Sequence, residues 1–194
     1  MAIDNQEIWQ QKKRLAVKAC EFLLKHVKTI RGIALTGSVA YGDVKEDDDL
    51  DFLIITREGR VYTTRLQCYL WAMIRGKKRR KNHEKDSWCL NMFLDEQALL
   101  VPKSKRTAFA ARQIERISIL WEQDRAVQRF IEANKPWMNG EKLSETIINK
   151  PEIENWGDRW ESWWRSWQWW YMKPKMTREV VNERQIFFQP LERE

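Results

Sequence analysis

Residues 35–56 combine a tight turn and an acidic strand, and they constrain this chain more than any other segment does. A short apolar run closes on Gly37 and Ser38, which predicts a buried strand that ends in a turn. After a spacer of ten residues, Asp49-Leu50-Asp51-Phe52 alternates acidic and apolar residues. Alternate side chains of a strand share one face, so Asp49 and Asp51 are predicted to project from the same side.

These residue types predict a site for nucleotide phosphates. Backbone N–H groups at a strand-to-helix corner point outward, and a glycine such as Gly37 lets a phosphate approach them closely. Carboxylates as close as those of Asp49 and Asp51 repel each other unless a cation lies between them. A hard divalent ion with oxygen ligands and bound phosphates meets that need, and Mg²⁺ fits best.

The segment resembles the nucleotidyltransferases of the DNA polymerase β superfamily, and its Ala40-Tyr41-Gly42 step is similar to the small stand-alone members. Their signature is an apolar residue, Gly, then Gly or Ser, a spacer, and Asp-apolar-Asp or Glu-apolar. Thr36 departs from it, since an apolar residue is usual there. The resemblance implies that Gly37 and Ser38 hold the phosphates of an NTP such as ATP, and that Asp49 and Asp51 bind Mg²⁺.

A third acidic position is the main departure from the family pattern. Active members usually carry a carboxylate on the next strand, where this chain has Asn91. An amide oxygen can contact a metal but does not accept a proton as a carboxylate does. Three alternatives follow: catalysis with two carboxylates, recruitment of Asp86, Asp95 or Glu96, or nucleotide binding without turnover.

The resemblance implies a Mg²⁺-dependent transferase that moves an NMP from an NTP to an acceptor and releases pyrophosphate. The acceptor is a nucleic acid, a protein or a small molecule, and Asp49, Asp51 and Asn91 are the catalytic candidates. The alternative is a nucleotide-binding, antitoxin-like regulatory protein with weak or no activity. The two histidines have no partner motif, and the chain has no Walker loop or kinase or hydrolase signature.

Composition indicates a folded protein with a basic surface. The 194 residues carry a net charge of +7, which favours polyanionic partners, and no apolar segment has the length of a signal core or a membrane span. We therefore expect a cytoplasmic protein. The three cysteines lack metal-ligand spacing and are interpreted as reduced core residues. The basic segment 75–81 is interpreted as a solvated connection rather than a nucleic-acid patch.

The order of predicted elements indicates an α/β (α+β) fold, with the small mixed sheet of the polymerase β-type nucleotidyltransferases and a helical C-terminal part. Apolar spacing predicts helices over 6–27, 61–74, 106–121 and 124–134, and a third strand over 87–94. Residues 136–151 are a predicted linker. We expect a nucleotidyltransferase domain over 1–100 and a helical region over 101–194.

A tryptophan-rich helix is predicted at residues 156–171. Its aromatic residues recur at steps of three and four, which places them on one wide stripe. The opposite face mixes acidic and basic side chains, so core packing is favoured over a membrane or base-stacking surface.

Overall fold

A computed structural model of the chain describes residues 5–79, 85–139, 166, 180–181 and 184–187. The first half alternates helices and strands, and its two long helices and third strand lie within about one residue of the predicted ranges. The elements, in chain order, are α1 (Asn5–His26), β1 (Ile30–Thr36), α2 (Gly37–Tyr41), β2 (Leu50–Thr56), α3 (Val61–Ile74) and β3 (Trp88–Asp95).

Beyond residue 100, the described elements add helices and short strands around the same sheet. They are α4 (Ala108–Glu115), β4 (Ser118–Glu122), α5 (Ala126–Met138), β5 (Val180–Val181) and β6 (Gln185–Phe187), with a 3₁₀ turn at Lys103–Lys105. None of the described helices is long and apolar enough to cross a membrane.

All six strands form one mixed sheet in the order β4-β1-β2-β3-β6-β5. The β1–β2 pair is antiparallel and places Thr36 opposite Asp51. The β2–β3 pair, which α3 connects, is parallel and places Asp51 opposite Cys89. The small mixed α/β sheet predicted from the sequence is thus confirmed, and the ends of β1, β2 and β3 meet at one edge.

Apolar side chains cover both faces of the sheet. On one face, Leu23 and Cys68 belong to a cluster that includes the buried β-strand residues Phe52 and Ile54. On the other face, Ile114 and Phe130 pack with alternating strand residues such as Leu53. Because both faces are buried, the central strands are apolar over most of their length.

The predicted helix over 106–121 is wrong in its second half. The helix ends at Glu115, and Ser118–Glu122 form strand β4, which pairs antiparallel with β1. Residues 117–121 are rich in β-branched and aromatic side chains, so edge pairing with β1 overrides the helical spacing. Strands β4, β5 and β6 come from residues beyond 100 and belong to the same sheet.

The predicted linker over 136–151 is also wrong at its start. Helix α5 continues through Pro136 to Met138. A proline removes one backbone hydrogen-bond donor. Near the end of a helix this loss affects only the last turn. The remainder of that linker lies outside the described residues, as does the tryptophan stripe at 156–171.

A buried lysine ties α1 to the loop that precedes β2. Lys12 is 3% exposed, and its amine donates to the carbonyl oxygens of Glu46 and Asp48 and to the Asp86 carboxylate. The Nζ to Oδ1 distance to Asp86 is 2.8 Å. One ammonium group therefore fixes the loop that leads into the acidic strand.

We expect Lys12→Met to lower the free energy of unfolding by about 2 kcal/mol, because three oxygens lose a buried charged donor. Urea unfolding followed by circular dichroism measures the change. Lys85→Met is the matched control, since Lys85 pairs with Glu46 at an exposed position. The control should leave the unfolding midpoint unchanged, and equal losses in both variants would contradict a specific role for Lys12.

Candidate active site

The turn after β1 brings Gly37 against the acidic strand. Gly37 has a φ of 70°, in the left-handed region that disfavours other residues. A Cβ at this position would overlap Asp51 Oδ2. Only glycine therefore lets the backbone of the turn lie against the Asp51 carboxylate.

The groups expected to receive phosphate make hydrogen bonds within the protein. The Gly37 N–H donates to Gln113 Oε1 of α4 at 3.0 Å. The Ser38 hydroxyl donates to Asp48 Oδ2 at 2.7 Å, and the same oxygen accepts the Lys45 N–H at 2.9 Å. Asp48 thus orders the spacer loop against Ser38.

Asp49, Asp51 and Cys89 form the acidic cluster of the site. One ligand atom from each, two carboxylate oxygens and a sulfur, lies within 4.8 Å of the others. Asp49 is 12% exposed at its side chain, and its Oδ2 is a buried oxygen without a hydrogen-bond donor among the described residues. The two carboxylates converge, as the sequence predicted. The third ligand atom of the cluster is the sulfur of Cys89, which lies on β3 two residues before Asn91.

The β3 strand presents Cys89 and Asn91 to this site, and just beyond Cys89 its register with β2 shifts. Between the Asp51–Cys89 and Leu53–Met92 pairs, β2 has one residue and β3 has two. Such a bulge changes which side chains aim at the neighbouring strand. The Asn91 amide contacts the Cys89 sulfur and lines the same cavity.

The Cys89 thiol is neutral in this environment. Burial raises its pKa, and the nearby Asp51 and Asp49 carboxylates raise it further, while Arg79 opposes them. A neutral thiol donates weakly and is a poor proton acceptor. Cys89 therefore does not replace a carboxylate in accepting a proton.

Arg79 is a cation in direct contact with the acidic cluster. Its Nη1 lies 3.1 Å from Asp49 Oδ2 and 3.4 Å from Cys89 Sγ. The Asp49 contact has the distance of an ion pair but lacks the angles of a hydrogen bond. Arg79 belongs to the basic segment that the sequence suggested was solvated, and the structure instead directs this residue into the site.

Tyr41 forms part of the wall beside the turn. Burial raises its pKa to about 12, an effect that Arg116 and Arg112 reduce and Asp51 increases. The Arg116 guanidinium lies 5.5 Å from the centre of the Tyr41 ring. The phenol therefore stays neutral at physiological pH.

These groups surround an open cavity of roughly 580 Å³, which is the size of a small-molecule site. Its wall is mainly polar and carries more acidic than basic side chains. The lining residues are Gly37, Ser38, Tyr41, Asp43, Lys45, Asp47, Asp48, Asp49, Asp51, Arg79, Asn91, Phe109 and Gln113.

The other acidic residues considered for the third position are held elsewhere. Asp86 pairs with Lys12. Asp95 is 1% exposed, accepts the Gly59 and Gln97 N–H groups, and lies opposite Thr56 at the far end of β3. Glu96 accepts the Glu58 N–H. The alternative in which one of them bends into the site is therefore wrong for this conformation.

The donor set fits a hard divalent cation. Two carboxylates share one side of the site, and the buried Asp49 oxygen lacks a donor among the described residues, as an oxygen reserved for a cation would. The neutral sulfur of Cys89 is a poor ligand for Mg²⁺, which prefers oxygen. Asp49 and Asp51 are thus the residues that would hold the ion, with phosphate and water oxygens completing its shell.

The sequence matches the family model of the nucleotidyltransferase domain over residues 14–119. This span covers more than half of the chain and includes the Gly37 turn, the acidic strand and β3. The chain therefore belongs to the nucleotidyltransferase domain family, and the resemblance identified from the motif is confirmed.

One solved structure with a similar arrangement is a crystal structure of a toxin-antitoxin with AMP-PNP. The sequences are 13% identical, and the similarity covers 64% of this chain and 87% of that chain with a TM-score of 0.41. No curated protein matches the sequence.

Sequence reasoning missed three residues that contact the two aspartates or the Gly37 turn. Cys89 was assigned to the core, although its spacing of two from Asn91 places both on one face of a regular strand. Arg79 and Gln113 reach the site from segments distant in sequence, and no local pattern marks them.

Proposed function

We propose that this chain is a Mg²⁺-dependent nucleotidyltransferase that transfers an NMP from an NTP to an acceptor and releases pyrophosphate. One observation carries the proposal: the Asp49 and Asp51 carboxylates converge next to the Gly37 turn, within a cavity large enough for a nucleotide. The family to which the chain belongs supports the same class of reaction.

In this proposal the site residues act by binding and alignment. Asp49 and Asp51 hold Mg²⁺, which when bound neutralises charge on the phosphates. Gly37 and Ser38 position those phosphates. To do so, Gly37 gives up its hydrogen bond to Gln113 and Ser38 gives up its hydrogen bond to Asp48. Holding the α-phosphate and the acceptor in line supplies most of the rate enhancement.

The transfer step balances without a further reactant. An acceptor oxygen forms a bond to the α-phosphorus while the bond from that phosphorus to the oxygen bridging it to the β-phosphate breaks. Pyrophosphate leaves with the electron pair. The acceptor hydroxyl loses its proton to water. The residue beside Asp49 and Asp51 is the neutral thiol of Cys89, which does not accept a proton as a carboxylate does.

The lack of a carboxylate at Cys89 and Asn91 of β3 favours a second candidate function. Neither Cys89 nor Asn91 accepts a proton as a carboxylate does, and the Cys89 sulfur is a poor ligand for a hard cation. A protein with these residues can bind an NTP and Mg²⁺ and act as an antitoxin-like regulatory partner with little turnover.

We expect the full chain, incubated with Mg²⁺, a desalted cell extract as a source of acceptors and each α-labelled NTP in turn, to release pyrophosphate with one or more of them. The label should appear on a nucleic acid, a protein or a small molecule, and separation by size identifies which. The chain with Asp49→Asn and Asp51→Asn is the background control. Tight NTP binding without pyrophosphate release from any NTP would favour the regulatory function instead.

A further inference from the structure

The Arg79 guanidinium lies among the atoms that would bind the metal. It contacts an oxygen of Asp49 at 3.1 Å and the sulfur of Cys89 at 3.4 Å. These two residues and Asp51 each place a ligand atom within 4.8 Å of the others. A positive charge on the chain itself thus contacts two of the three groups in the cluster.

The contact is the kind that another cation can replace. Asp49 Oδ2 is buried and accepts no hydrogen bond from the described residues, so the attraction to Arg79 is mainly one of charge. The Arg79 side chain is 34% exposed, while that of Asp49 is 12% exposed. The guanidinium can therefore move into solvent. The carboxylate stays buried, and a buried negative charge requires a cation beside it.

We propose that Arg79 is the counter-cation of the metal-free site and that a divalent ion displaces it on binding. This inference rests on the proposed function, because it uses the assignment of Asp49 and Asp51 as metal ligands. Arg79 lowers the repulsion between the two carboxylates when no metal is bound. It also competes with the metal, so it weakens the affinity of the nucleotide-free protein for divalent ions.

The test measures Mn²⁺ binding to the nucleotide-free full chain by electron paramagnetic resonance, which detects free Mn²⁺. Arg79→Gln should tighten binding about five- to tenfold, since it removes one partly exposed competing ion pair. Arg79→Lys retains the charge and should stay close to the unmodified chain. Lys45→Gln is the matched control, because Lys45 lines the same cavity and its side chain is exposed. It should change the affinity less than about twofold.

A second measurement follows Mg²⁺ binding to the unmodified chain and needs a variant only to assign one signal. Mg²⁺ titration should shift the ¹⁵N guanidinium signal of Arg79, which is assigned by its loss in Arg79→Lys. An Arg79 signal that stays in place while Mg²⁺ binds would overturn the proposal. Unchanged or weaker Mn²⁺ binding by Arg79→Gln would overturn it as well.

The carboxylate variants separate this inference from the proposed function. Asp49→Asn with Asp51→Asn should remove Mn²⁺ binding both in the otherwise unmodified chain and in combination with Arg79→Gln. If Mn²⁺ binding persists in both cases, the metal assignment fails and the proposed function fails with it. If the carboxylates are required but Arg79→Gln has no effect, only the role of Arg79 is wrong.

Discussion

We expect the double replacement Asp49→Asn and Asp51→Asn to abolish Mg²⁺-dependent nucleotide binding while the chain stays folded. Each change removes a ligand charge and barely alters side-chain volume. Loss of groups that only support the ligands weakens metal sites by about 10- to 100-fold, so loss of both ligands themselves should weaken binding at least about a hundredfold. Calorimetric titration of an NTP with and without Mg²⁺ measures the effect.

The control for this result is a double variant with the same change of charge in the same cavity. Asp43 and Asp47 are exposed residues of the cavity wall that lie outside the acidic cluster. Asp43→Asn with Asp47→Asn should therefore weaken binding only slightly, through long-range charge that salt screens. Equal losses in the two double variants would show that the cavity attracts Mg²⁺ by its overall charge and that Asp49 and Asp51 are not its ligands.

The acidic strand and its turn could be predicted because their constraints are local. A glycine at the end of an apolar run marks a turn, and two aspartates at a spacing of two share a strand face whatever the rest of the chain does. The structure places Thr36 opposite Asp51, which brings Gly37 against the acidic strand. Helix α3, predicted over 61–74, spans Val61–Ile74 for a similar reason, since its spacing alone determines it.

The remaining features depend on contacts between distant segments. Strand β4 forms because β1 offers an unpaired edge, and residues 118–121 fit a helix or a strand equally well by spacing. The bulge that sets the β2–β3 register is a property of the paired strands and has no signal in either strand alone. Arg79 reaches Asp49 because the backbone of Lys78 pairs with that of Trp88 at the start of β3. This pairing holds the neighbouring Arg79 beside the strand.

We expect Cys89 to be the residue that limits the chemical step. Asn91 was expected at the position of a third carboxylate, and it lines the cavity, while the Cys89 sulfur lies within 4.8 Å of both aspartate oxygens. Cys89→Asp should therefore place a carboxylate opposite Asp51, where it can bind the metal or accept the acceptor proton. General-base catalysis contributes about a hundredfold or more, so turnover should rise by about that factor, with little change in nucleotide affinity.

Asn91→Asp is the matched comparison, because it adds the same charge two residues along the strand. We expect it to raise turnover less than Cys89→Asp, since the Cys89 sulfur itself lies within 4.8 Å of both aspartate oxygens and Asn91 contacts that sulfur. Pyrophosphate release, measured against NTP concentration for both variants, separates turnover from affinity. A larger gain from Asn91→Asp would place the missing carboxylate at position 91. No gain from either variant with any NTP would indicate that the site binds nucleotide for a purpose other than transfer.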